Sequence, residues 1–307
     1  MPPSVSPSIP PSCPRPPAAY ASLWRHAGKS WPRDLQALSL MAVTGWSARL
    51  SLAEWLVSHD PRLASIQAGS ILRLWRRLGE RDLIRQHTQV IDPRAHVAVA
   101  VVELTALGRD LLYELGVQAA VSEWQRLRLW HQADAQPRHT AMVLLAAHYF
   151  RKRGYRTVVC PEADGLLAPD LLILHPAGGQ TVYVEVEAPG RGGLVHMARQ
   201  RRKWEMQASG QGFVAFCALN PRQRGQKLAL ARRASASGIA TDLLTLHAQP
   251  EVTWASIWGD PLANAAGRGD ESHWEGISWA TRILPVNPDS GATSQPLAGV
   301  QARQGGG

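Results

Sequence analysis

Two short apolar runs, the first opened and the second closed by carboxylates, fix the middle of this chain. Pro169-Asp170 opens the run Leu171–Leu174, a turn rich in Pro and Gly follows at 176–180, and Thr181-Val-Tyr-Val-Glu-Val-Glu187 alternates apolar and polar residues. Two such runs joined by a glycine-containing turn predict a β-hairpin. A strand period of two puts Val182, Val184 and Val186 on one face and Tyr183, Glu185 and Glu187 on the other. The two glutamates then lie only about 6–7 Å apart along the strand, where they repel unless a cation, a proton or solvent lies between them. Asp170, at the mouth of the neighbouring strand, is placed to join them. Three carboxylates at one point suit a hard, oxygen-binding cation such as Mg²⁺, so Asp170, Glu185 and Glu187 are the candidate metal ligands. Alternating Val and Glu also describes a half-exposed antiparallel strand. Pro-Asp just upstream is the feature that favours a site.

The hairpin is followed by an unusual charge imbalance. Between residues 188 and 241 there are ten basic side chains, and Glu205 is the only acid. A solvated pair of helices ordinarily mixes both signs, so the imbalance suggests a wall that binds phosphate. Arg191, Arg199, Arg201 and Arg202 are the DNA-binding candidates here. Lys203 is placed to reach the carboxylates and stabilise developing charge, with Arg199, one turn earlier, as a second candidate. His139 opens the helical stretch 138–153 and is a candidate proton acceptor or ligand, or equally a capping or packing side chain. Pro189-Gly-Arg-Gly-Gly193 lacks the Gly-Lys-Ser/Thr of a nucleotide loop. It reads as a strand exit that lets Arg191 approach a phosphate.

Upstream, residues 33–115 give helix (34–46), helix (starting at a Ser51–Glu54 capping box), helix (65–78), a strand pair (83–91 and 95–103) and a fourth helix from Leu104. That is the order of a winged helix-turn-helix. In the third helix Ile71, Leu74, Trp75 and Leu78 form one apolar stripe. Arg73, Arg76 and Arg77 occupy the opposite side and are DNA-binding candidates, as major-groove or phosphate contacts. A linker helix at 116–136, with Val117, Val121, Trp124 and Leu127 as its apolar stripe, leads to a second domain over 137–260. Its helix and strand order predicts a mixed sheet with helices on both faces and a parallel crossover between strands 212–219 and 239–246. The fold class expected is therefore α/β, or α+β over the whole chain. The proline-crowded residues 1–19 and the Gly/Ser/Pro/Gln-rich residues 284–307 are expected to be disordered tails.

Net charge +9 over 307 residues, with a pI near 10, favours an anionic partner: nucleic acid, or less readily a membrane surface. No apolar run approaches the length of a membrane span. The three scattered cysteines fit neither a disulfide framework nor a zinc site and agree with a reducing cytoplasm.

Pro169-Asp170 followed by Glu185-Val-Glu187 resembles the PD-(D/E)XK nuclease superfamily, with Glu187 in the place of the motif lysine. The order Arg138-His139, Pro169-Asp170, Glu185-Val-Glu187, Lys203-Trp204 and Ile257-Trp258 more closely resembles the replication-relaxation family of plasmid and mobile-element proteins, over about residues 35–260. That resemblance implies an N-terminal winged helix, a PD-(D/E)XK-like domain, double-stranded DNA as partner, and a role in plasmid replication, relaxation or mobilisation. Trp204 sits beside the lysine, whereas the family pattern has an aromatic residue three positions on. Two alternatives stand beside this reading. One is an Mg²⁺-dependent endonuclease using Asp170, Glu185, Glu187, Lys203 and His139; the other is a winged-helix transcriptional regulator. A homodimer is compatible with each.

Overall fold

The structure is a computed structural model. It describes residues 15–261 except 25–29, 61, 64, 68, 94–96, 132–135, 162–168, 175–180 and 189–193. Arg191, the glycine-rich segment around it and the predicted 284–307 tail fall outside the described residues, as does most of the N-terminal tail. Its end is not irregular: Ala18–Trp24 forms a 3-10 helix, and Trp24 is buried edge-on against Trp31.

The first half folds in the expected order: α1 (Trp31–Thr44), α2 (Arg49–His59), α3 (Gly69–Glu80), the antiparallel pair β1 (Ile84–Asp92) and β2 (Val97–Leu104), then α4 (Ala106–Glu114). The predicted stripe Ile71, Leu74, Trp75 and Leu78 is the buried face of α3. It packs into one core with Leu38, Leu52, Leu56 and Val102. A short bridge from Ala48 to Val101 lays the α1–α2 connection against β2. Gly45 caps α1 in the left-handed region (φ 66°), where a side chain would also meet the Val121 carbonyl.

Buried charge holds this unit together. Asp34 is fully buried and takes Arg77 and Arg81, each at 2.6 Å, together with the Trp24 indole N–H (3.1 Å) and the Ser30 hydroxyl (2.8 Å). Asp60 receives Arg33 and Arg62, and the Arg62 hydrogen bond foremost depresses its pKa to about 2.

The capping box is not used as expected. α2 begins two residues earlier, with Ala48 at its N-cap and no side-chain cap. Ser51 and Glu54 instead face the next unit, where the Ser51 hydroxyl meets His148 Nδ1 (3.2 Å) and Glu54 pairs with Lys152 (3.2 Å).

α5 (Glu123–His131) and α6 (Pro137–Lys152) lead into a six-stranded sheet in sequence order: β3 (Arg156–Val159), β4 (Leu171–Leu174), β5 (Thr181–Glu187), β6 (Val214–Ala218), β7 (Gly238–Asp242) and β8 (Ser256–Trp258). The first three strands and the last pair are antiparallel; β5, β6 and β7 are parallel. Helices α7 (Leu194–Gln211) and α8 (Pro221–Ala234) make the two crossovers. Successive crossovers of one hand that step the same way across a sheet put both helices on one face. The alternation in β6 agrees: Val214, Phe216 and Ala218 join the Trp204–Ala231 core, whereas Ala215 and Cys217 join the α6 core. The strand expected at 239–246 stops at Asp242, whose carboxylate accepts the Thr245 N–H and caps a short helix α9, Leu243–Ala248.

α5 is more than a spacer. Ile91, Val99 and Val101 of the hairpin share a core with Trp124, Leu127 and the whole inner face of α6, so the two halves are continuous. Within that seam His148 is almost fully buried. Burial first, then the charges of Arg151, Lys152, Arg153 and His247, lower its pKa to about 3. An unfolded histidine titrates near 6.5. Between pH 6.5 and 3 the unfolded chain therefore takes up a proton that the folded chain refuses. Stability should fall on acidification by up to about 1.4 kcal/mol per pH unit. Urea midpoints measured across that range should lose most of this slope in His148→Gln.

Candidate functional site

The carboxyl end of β5 collects the charged side chains singled out in the sequence. Leu171 pairs with Val184, which sets Asp170 level with Glu185 on the adjacent strand. Asp170 is fully buried; its Oδ2 accepts the Val186 N–H at 2.6 Å and lies 3.3 Å from His139 Nε2. His139 Nε2 also lies 2.9 Å from the Val186 carbonyl, so its proton is assigned to Nε2 and donated to both acceptors. The Cys160 N–H donates to the Asp170 carbonyl (3.0 Å), and Cys160 itself adopts φ 46°, a left-handed backbone in a buried non-glycine residue. Strain of this kind persists where surrounding structure enforces it and concentrates at sites.

Glu185 is fully buried and ion-pairs with Lys203, which reaches in from α7. Glu187 is bound by Gln200 of α7 and, at 2.8 Å, by Lys227 of α8. Burial above all, then the charges of Asp170 and Glu187, holds the Glu185 carboxyl well above the usual range against the pull of Lys203. Burial would lower the Lys203 ammonium, but Asp170, Glu185 and Glu187 outweigh it and keep that group firmly protonated. His139 follows the same logic: burial opposes its charge, Asp170 favours it, Lys203 opposes it again, and the net shift is upward.

Asp170, Glu185, Glu187, Lys203 and His139 are thus electrostatically joined, with one basic partner turned to each carboxylate. The expected three-carboxylate cage has a different geometry. Among the described residues, no group of three His, Cys, Asp or Glu side chains is placed to hold a metal ion. The acids take different partners: Asp170 meets His139 of α6, Glu185 meets Lys203 of α7, and Glu187 meets Gln200 of α7 and Lys227 of α8. One carboxylate oxygen of Glu185, Oε1, is buried with no hydrogen-bond partner among the described residues.

Lys227 and Gln200 are the members that sequence reasoning passed over. Both were legible as periodicity. Arg224, Lys227, Leu228 and Ala231 make one stripe on α8, and Gln200, Lys203, Trp204, Gln207 and Gln211 one stripe on α7. The apolar members of those stripes are core, so the polar members face inward too. Gln207 and Gln211 hydrogen-bond the backbone of Tyr183, Phe213 and Ala215, where β5 and β6 have not yet begun to pair. Trp204 is fully buried against Phe216 and belongs to the core.

The arginines divide. Arg199 and Arg202 are exposed on α7, and Arg201 pairs with Glu205 (2.7 Å) on the same surface. Arg199, one turn before Lys203, is exposed to solvent, and among the described residues no ion pair joins it to the carboxylates. On α3, Arg73 and Arg76 are exposed, Arg76 near Glu80 at 3.6 Å. Arg77 departs from expectation: buried Asp34 captures it, which removes it from the outward set. Among the described residues no helix is long and apolar enough to cross a membrane. Compared with protein-family models, curated proteins and solved structures, the chain finds no match.

Proposed function

We propose that this chain is a DNA-binding protein of the replication-relaxation type, acting in the cytoplasm on plasmid or mobile-element DNA. In this reading residues 33–115 are a winged helix and residues 137–260 a PD-(D/E)XK-like domain that holds duplex without cutting it. One observation carries the reading: α7 delivers Lys203 into the acid cluster and, from the same turns, presents Arg199 and Arg202 to solvent. Phosphates drawn to those arginines would lie over the end of β5. The α3 arginines Arg73 and Arg76 supply a second, groove-directed set.

Duplex binding followed by fluorescence anisotropy between about 50 and 200 mM salt tests this. Affinity should fall steeply with salt, and Arg199→Gln/Arg202→Gln should reduce the log–log slope by about 2, close to 0.9 for each phosphate no longer neutralised. A salt-independent affinity would sink the proposal.

A second reading, a divalent-metal endonuclease, draws on the buried, unpartnered Oε1 of Glu185. Nicking of supercoiled plasmid with Mg²⁺ or Mn²⁺, abolished by Glu185→Gln, would select it. An intact plasmid under either metal removes it.

A further inference from the structure

The outward stripe of α8 belongs to neither the acid cluster nor the α3 surface. Arg222, Gln226, Ala229 and Arg233 follow one another at i, i+4, i+7 and i+11 and are all exposed or nearly so, with Arg232 exposed on the flank. No acidic residue occurs in the chain between Glu205 and Asp242. Of the α8 cations, Lys227 and Arg224 turn inward to Glu187 and Asp242. Among the described residues no ion pair reaches Arg222, Arg232 or Arg233. The helix has therefore sorted its charge: the two cations with acids to meet face the sheet, and three arginines are left facing water.

The spacing between the arginines carries the argument further. Arg222 and Arg233 are about 16 Å apart along the helix axis, the axial rise of about five phosphates on one strand of a duplex. What separates them is small. A Cβ added at Gly225 would meet nothing within 4 Å, and Ala229 adds only a methyl group. A helix face with guanidiniums at both ends and no bulk between them lets a sugar–phosphate backbone lie close along it. Guanidinium forks match phosphate in geometry as well as charge. No base-reading side chain stands on this stripe except Gln226.

We infer that the outer face of α8 is a phosphate rail, a sequence-blind docking strip for the backbone of duplex DNA, in which Arg222, Arg232 and Arg233 contact phosphates and Gly225 and Ala229 provide clearance. This rests on the DNA-binding reading above and adds to it a surface that acts independently of α3. Other anionic surfaces could meet the same arginines, and their capture is an outcome of the test.

The test uses the full chain, a duplex of arbitrary sequence of about two helical turns, and anisotropy over the same salt range. Arg222→Gln/Arg232→Gln/Arg233→Gln should weaken binding on the order of ten- to a hundred-fold at the low-salt end and lower the salt slope by about 2–3. Gly225→Glu should weaken binding with no arginine removed, while Gly225→Ala, filling open space on a helix, should bind as the wild type does. Wild-type affinity in both the triple variant and Gly225→Glu overturns the rail. So does retention of duplex affinity by the triple variant combined with loss of binding to vesicles rich in anionic lipid. Failure of the DNA-binding reading itself looks different: the wild-type chain then binds no duplex at low salt.

Discussion

Replacing Arg151 with methionine should cost on the order of 3–5 kcal/mol of stability, the cost of stranding one partner of a buried ion pair. Arg151 and Glu123 are both almost fully shielded from solvent and pair across the seam between α5 and α6. Glu123 also accepts the Ser47 N–H (3.1 Å), and the Arg151 guanidinium lies 4.8 Å from the Trp46 ring centre. Methionine keeps much of the side-chain volume yet leaves the Glu123 carboxylate buried and uncompensated. Because the pair joins the α1–α2 connection, the connecting helix and the first helix of the sheet domain, unfolding of the variant should also lose cooperativity between the two halves. Urea unfolding followed by tryptophan fluorescence and by circular dichroism checks both points. Coincident transitions with less than about 1 kcal/mol lost would show that the seam does not depend on this pair.

Asp34→Asn should be of similar size, again about 3–5 kcal/mol. The amide can still bond Trp24 and Ser30, but Arg77 and Arg81 lose the charge that holds them at 2.6 Å. The damage should reach function, because Asp34 on α1 fixes the end of α3 through Arg77. Duplex affinity should fall although no outward arginine has changed. Substituting Asp34, Arg77 and Arg81 together with apolar residues of matching volume should restore much of the stability, since a buried cluster replaced whole leaves no orphaned charge. A single-variant loss below about 1 kcal/mol in urea would contradict this account.

What could be read in advance and what could not divide along a physical line. Local periodicity identified the α3 stripe, the crossover helices and the face of β5 that carries Glu185 and Glu187, because strand and helix periods act over a few residues. Long-range partnership was not legible. Arg77 looked like one arginine of an outward set until the fold placed Asp34, 43 residues earlier, against it. Ser51 and Glu54 have the spacing of a cap, yet α6 arrives to claim both. Residues 239–246 read as one strand, yet Asp242 in its middle accepts the Thr245 N–H and caps a helix that takes over the second half. At the site, the hairpin and Pro-Asp were enough to bring the carboxylates together. Which cation each would take depended on two helices that pack on the sheet only once it exists.

The account turns on phosphate meeting α7 directly over the end of β5, and a plasmid retardation gel tests that claim most directly. Supercoiled plasmid at about 50 mM salt with Mg²⁺ present should be retarded by the wild-type chain and remain supercoiled. Asp170→Asn/Glu185→Gln should retard it comparably, while Arg199→Gln/Arg202→Gln should need markedly more protein for the same retardation. Plasmid that migrates unretarded with the wild-type chain, or retardation indifferent to loss of Arg199 and Arg202, would contradict the account.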